Sequence, residues 1–118
     1  MRRMGCVLIV ALVLMITPAG AMRRVHARYR GGAHTMEAAI RATWPARLHR
    51  EALNVAWCES RGSSTARNGQ YRGYFQMGRW EWATYGQGSA YDGEANAAAA
   101  YRYYRANGNS WRRWECRP

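Results

Sequence analysis

Residues 47–60 read RLHREALNVAWCES, and the spacing of their apolar positions decides how the chain folds. Leu48, Ala52, Val55 and Glu59 recur at i, i+4, i+7 and i+11, which is one stripe of an α-helix. A stripe of this kind faces a core, so it carries a glutamate inward at the last turn of the helix. Gly62 follows, suited to the left-handed position beyond a helix end. A carboxylate on an inward stripe loses its hydration. Desolvation and the negative end of the helix dipole both raise its pKa. The acid form then persists near neutral pH and can give a proton to a leaving oxygen. The competing reading turns Glu59 to solvent or pairs it with Arg61 or Arg67.

Upstream, the 118-residue chain opens like an exported protein. Arg2 and Arg3 precede the apolar run CVLIVALVLMI (6–16), and Pro18 leads into Ala19-Gly20-Ala21. A charged start, an apolar centre and an A-x-A site predict a signal peptide over 1–21, cleaved after Ala21. The alternative is an uncleaved anchor, but the run falls well short of the ~20 residues a span needs. Cys6 precedes the apolar run and leaves with the signal. Cys58 and Cys116 then remain as a pair in an oxidising compartment, where a disulfide between them is expected. The alternative is two free buried thiols. A zinc site is disfavoured, because His26, His34 and His49 have no ligand spacing with either cysteine. A domain this small needs a covalent staple.

Residues 22–34, MRRVHARYRGGAH, are arginine-rich and end in Gly-Gly before the last two positions; they read as a flexible basic linker. The globular domain is expected over 35–118, with Thr35 capping a helix through MEAAIRAT (36–43) that Pro45 breaks. Beyond the 47–60 helix, Asn68-Gly69 within STARNGQYR (64–72) signals a two-residue hairpin turn. The strip GYFQMG (73–78) leads into an aromatic helix, RWEWATYG (79–86). Asp92 is placed to cap the alanine-rich helix 93–107, with Glu94 in its first turn and Gly108 after its end. The fold class is α+β, mainly α, with one short β-hairpin.

All 18 Lys/Arg positions are arginine, and the formal net charge is +11. Outside the cell such charge draws a protein to anionic polymers of a cell wall or to a lipid surface. Nucleic acid is the usual partner of so much arginine, but export argues against it here.

The segments after Glu59 build the wall of a groove. Gly73 lets a backbone approach a sugar, and Gln76 offers a donor and an acceptor to hydroxyl or N-acetyl groups. Tyr71, Trp80, Tyr85 and Trp111 supply flat faces for pyranose rings, although each alone also suits a core. Cys58-Glu59-Ser60 at a helix end, then YRGYFQM (71–77), Trp80, Tyr85-Gly86 and a terminal tryptophan (Trp111 or Trp114) before Cys116 resemble the resuscitation-promoting factor group. That group belongs to the lysozyme-like, lytic-transglycosylase superfamily, and the resemblance covers about residues 47–118. Tyr74 stands where the group has leucine, and Trp114-Glu115 where it has a Trp-Pro context.

The resemblance implies a secreted, wall-associated, lysozyme-like domain that cleaves peptidoglycan glycan strands, from an actinobacterium or one of its phages. It makes Glu59 the catalytic acid, puts Gln76 in the cleft, pairs Cys58 with Cys116, and calls for no metal or cofactor. The expected state is a monomer without a stable membrane span. Two other classes stay in view: an inactive wall-binding or signalling module, and a basic peptide-like protein acting on membranes. Of the other acids, Glu37 and Glu51 read as exposed, Asp92 and Glu94 as helix-start residues, and Glu115 as a neighbour of the bridge. Glu81, between Trp80 and Trp82, is the one serious candidate for a second catalytic carboxylate, against a solvent-facing helix position.

Overall fold

The computed structural model describes residues 25–26 and 28–118, so the expected signal peptide over 1–21 lies outside the described residues. In chain order the elements are β1 (Val25–His26), α1 (His34–Thr43), a 3₁₀ turn (Ala46–Leu48), α2 (His49–Ser60), β2 (Arg67–Asn68), β3 (Tyr71–Arg72), α3 (Arg79–Tyr85), α4 (Gly93–Ala106) and β4 (Cys116–Arg117). The domain is small and mainly helical, with β2 and β3 forming a short antiparallel hairpin and a disulfide joining Cys58 to Cys116. No helix among the described residues is long and apolar enough to cross a membrane.

The alanines of α4 explain how the layers meet. Ala97, Ala99 and Ala100 are fully buried and let α1 pack closely through Met36 and Ile40. Trp44, just past α1, then enters the centre. Its ring stacks on Phe75 at 5.4 Å and on Trp111 at 5.1 Å, while its Nε1–H donates to the Ala97 carbonyl at 2.9 Å. Tyr104 packs against both tryptophans. Aromatic side chains of this size bury roughly 150–250 Å² each, so this cluster dominates the apolar core.

One buried polar residue ties the hairpin region to that core. Asn96 on α4 is fully buried; its Oδ1 accepts from the Phe75 N–H at 2.8 Å and its Nδ2 donates to the Arg72 and Ala90 carbonyls, each at 3.0 Å. Gly73 sits directly over this amide with φ +79°, and a Cβ there would clash with Asn96 Nδ2 and lie 2.5 Å from the Ala90 carbonyl oxygen. Alanine at this position adopts a disfavoured left-handed backbone and separates bonds whose loss strands buried polar groups at ~1–3 kcal/mol each. Gly73→Ala is therefore expected to lower the melting temperature by more than about 10 °C. A thermal melt within two or three degrees of the parent would contradict this account of the glycine.

Three local expectations are corrected. The hairpin register pairs Arg67 with Arg72 and Asn68 with Tyr71, so the turn is Gly69-Gln70, one residue later than Asn68-Gly69. Gly69 takes φ +60°, which a two-residue hairpin turn of the II′ kind needs at its first position. Helix α1 starts at His34 with Ala33 as its cap, not Thr35, and the Ala33 N–H donates to the Tyr29 hydroxyl at 2.7 Å. The described part of the 22–34 arm is docked rather than free. Val25–His26 pairs in parallel with Cys116–Arg117; the Tyr29 N–H donates to Asn54 Oδ1 at 2.9 Å; and the Tyr29 ring lies 5.5 Å from Trp57. A lone tyrosine gives an otherwise polar arm one apolar foothold on α2.

Candidate active site

Helix α2 ends in two left-handed residues, Arg61 (φ 53°) and Gly62 (φ 80°), where only Gly62 was expected. Glu59 lies in the last turn before them, half-buried. The Cys58–Cys116 bridge, with its Cα atoms 6.0 Å apart, brings β4 against this turn. The Cys116 N–H consequently donates to Glu59 Oε1 at 3.1 Å. Burial pushes the Glu59 carboxyl above the usual glutamate range. The Cys116 N–H opposes that shift, and the Glu115 carboxylate adds to it. Among the described residues the one ion pair is His34 with Glu37, so Glu59 is paired with neither Arg61 nor Arg67.

Glu59 opens onto a groove of about 280 Å³. The hairpin contributes Asn68 and Tyr71, the following strip contributes Gln76, Met77 and Gly78, and α3 contributes Glu81. Tyr103 of α4 and the terminal residues Arg113, Trp114 and Glu115 close the far side. Backbone bonds between Arg72 and Met77 (N–H to O 3.1 and 3.0 Å) pinch the strip into a tight loop. Gln76 is held there at φ 48° by its own amide, whose Nε2 donates to the Gly73 carbonyl at 3.0 Å and to that of Ala66 at 3.2 Å. Gln76 thus lines the groove, but its amide nitrogen serves the loop. Tyr71, 44% exposed, presents a ring to the groove as expected.

The remaining sequence candidates fall elsewhere. Gly73 is reserved for Asn96 and does not line the groove. Trp111 is a core residue, stacked on Trp44 and packed against Tyr104, with its Nε1–H donating to Glu51 Oε2 at 2.7 Å. That bond also makes Glu51 a half-buried partner rather than an exposed acid. Trp80 is 79% exposed on α3 and lies outside the groove lining. Tyr85 packs on Tyr103 at 5.5 Å and supports the wall from behind.

Two aromatic groove residues were not assigned to substrate by sequence reasoning. Trp114 takes the place expected of Trp111; its Nε1–H donates to the Phe75 carbonyl at 3.0 Å, which fixes its ring edge. Tyr103 stacks on Trp114 at 5.0 Å. Burial, then the Glu81 carboxylate, holds its phenol above the usual tyrosine range, so at neutral pH it is a hydrogen-bond donor. Its signal was present, since Asn96, Ala99 and Tyr103 recur at i, i+3 and i+7 on the buried face of α4. Among the described residues no three His, Cys, Asp or Glu side chains are grouped to hold a metal ion.

No protein-family model matches the chain, and no curated protein or solved structure matches it.

Proposed function

We propose that this protein is a secreted, wall-associated enzyme that cleaves the β-1,4 bond between N-acetylmuramic acid and N-acetylglucosamine in peptidoglycan. Its reaction is lytic transglycosylation, and Glu59 is the general acid and then the general base. The observation that carries this reading is the Glu59 carboxyl itself, desolvated beside an open groove with Oε1 held by the Cys116 N–H. With Oε1 occupied as an acceptor, Oε2 is the atom left to carry the proton. It protonates the glycosidic oxygen as the bond to the anomeric carbon breaks. The N-acetyl group of the muramic acid stabilises that carbon. The carboxylate then takes the proton of the same sugar's 6-hydroxyl, whose oxygen closes onto the anomeric carbon. No water is consumed. The motif order shared with the resuscitation-promoting factor group supports the same assignment.

A second reading has one observation in its favour: Glu81 lines the same groove as Glu59. Two carboxyls flanking a glycosidic bond suit hydrolysis, in which one acts as acid and the other as base or nucleophile. Mass spectra of a wall digest decide between the two. Transglycosylation yields 1,6-anhydro ends lighter by one water, and Glu81→Gln then leaves product identity unchanged. Reducing ends, together with loss of cleavage in Glu81→Gln, would establish a hydrolytic muramidase instead.

A further inference from the structure

The hairpin separates two hollows of opposite charge. On one side lies the Glu59 groove, lined by Glu59, Glu81 and Glu115 against the single cation Arg113. On the other lies a hollow of about 220 Å³ that holds Arg67, Arg72 and Arg79 and no acidic residue. Met77 and Gly78 line both and are themselves buried, so they form the inner partition between the two hollows.

The arginine hollow lacks an internal explanation. Arg67 and Arg72 face each other across the hairpin, and like charges directly opposite on one face destabilise a two-stranded ladder. No carboxylate relieves them, because His34–Glu37 is the one ion pair among the described residues. The Arg72 guanidinium carbon lies 5.7 Å from the centre of the Tyr91 ring. Arg79 follows at the start of α3, its backbone N–H donating to Gln70 Oε1 at 3.3 Å. All three side chains are exposed, yet they converge on one concavity. Together they form a concentrated positive hollow beside the acidic groove, suited to an anion from outside the chain.

We infer that this hollow is a subsite for the carboxylates of the peptide stems attached to the glycan that Glu59 cuts. The inference rests on the proposed peptidoglycan reading and adds a preference for stem-bearing over stripped strands. Stem peptides leave the muramic acid sideways through its lactyl ether, so a strand in the groove must send them over one of its walls. The arginines stand directly behind the Met77–Gly78 partition, with the Tyr71 ring and the Glu81 carboxylate packed beside Gly78 on the groove side. Arginine's planar fork suits carboxylate in particular, since it donates two parallel N–H bonds to the two oxygens.

Binding separates this subsite from the chemistry. The probes are a soluble glycan oligomer carrying its stem peptides and the same oligomer after amidase has removed them. The protein is the full exported chain with Glu59→Gln, so that neither probe is cut. The stem-bearing oligomer is expected to bind about tenfold more tightly at low salt, which is ~1.4 kcal/mol. Adding Arg67→Gln and Arg72→Gln should reduce that preference below about twofold, while Arg67→Lys with Arg72→Lys, which keeps the charge without the fork, should keep only part of it. Raising salt should erode it in the parent as screening shortens the field. Equal binding of the two probes would overturn the subsite, as would a preference that survives the glutamine pair. A soluble phosphodiester polymer that binds through the same arginines while stems add nothing would assign the hollow to phosphate and overturn it too. Absence of wall cleavage by the parent chain would instead overturn the enzymatic reading, which this binding comparison does not measure.

Discussion

Glu59→Gln is expected to reduce wall cleavage by roughly 10²–10⁴-fold while making the protein more heat-stable at neutral pH. Glutamine keeps the shape of the side chain and an oxygen to accept from the Cys116 N–H, but it has no proton to deliver. The gain in stability follows from burial. In the fold the Glu59 pKa is raised, chiefly by desolvation, so between its unfolded and native values the carboxyl releases on unfolding a proton that the native state retains. The contribution Glu59 makes to stability is complete below the ordinary glutamate value of ~4.3. It is lost as pH rises through the elevated native value. Glutamine does not titrate, so the variant's advantage in melting temperature should be small near pH 4 and widen toward pH 7. Melts across that range, paired with turbidity loss of purified walls, test both halves. Full cleavage by a folded variant would remove Glu59 from the chemistry. Parallel melting curves at every pH would mean that its carboxyl is not desolvated.

The inward aim of Glu59 was legible because helical periodicity is local: three apolar positions on one face predict the direction of the fourth. The cap of α4 was legible for the same reason, and Asp92 does accept from the Ala95 N–H at 2.8 Å. Gly73 shows where local reading stops. A glycine that makes room for a sugar and one that makes room for the amide of Asn96, 23 positions away, leave the same mark in a sequence. The tryptophans near the end differ by three residues and share every sequence property. Both are buried in the core; which of them also reaches the groove depends on Trp111 stacking on Trp44, a meeting of segments more than 50 residues apart. The docked arm is a similar case. Its arginines describe a solvated tether, while its attachment depends on Tyr29 finding Asn54 and Trp57 and on β1 finding β4. The groove's acid was therefore readable from one helix, whereas its walls needed five segments in place.

Removing the disulfide should weaken the fold and the catalyst through separate routes. Cys58 and Cys116 are 58 positions apart, and closing a loop of that size is worth roughly 4 kcal/mol in the chain-entropy model. Against a total stability of ~5–15 kcal/mol for a typical domain, Cys116→Ser should lower the melting temperature by about 15 °C or more. The second route runs through the backbone. The Cys116 N–H is the donor that holds Glu59 Oε1, and it is the one influence named above that pulls the Glu59 pKa down. With β4 no longer bonded covalently to α2 and held by its pairing to β1 and its packing, that bond loosens even in molecules that stay folded. Cleavage measured well below the variant's melting temperature should therefore still fall, and the limb of the pH profile set by ionised Glu59 should move to higher pH. A purely structural staple would leave that limb where it is. If the parent protein, unreduced and unfolded, reacts with two equivalents of a thiol reagent at Cys58 and Cys116, the bridge is absent and both routes fail together. If the melting temperature falls but the pH limb stays fixed, the strand is held in place without the bridge and the second route fails.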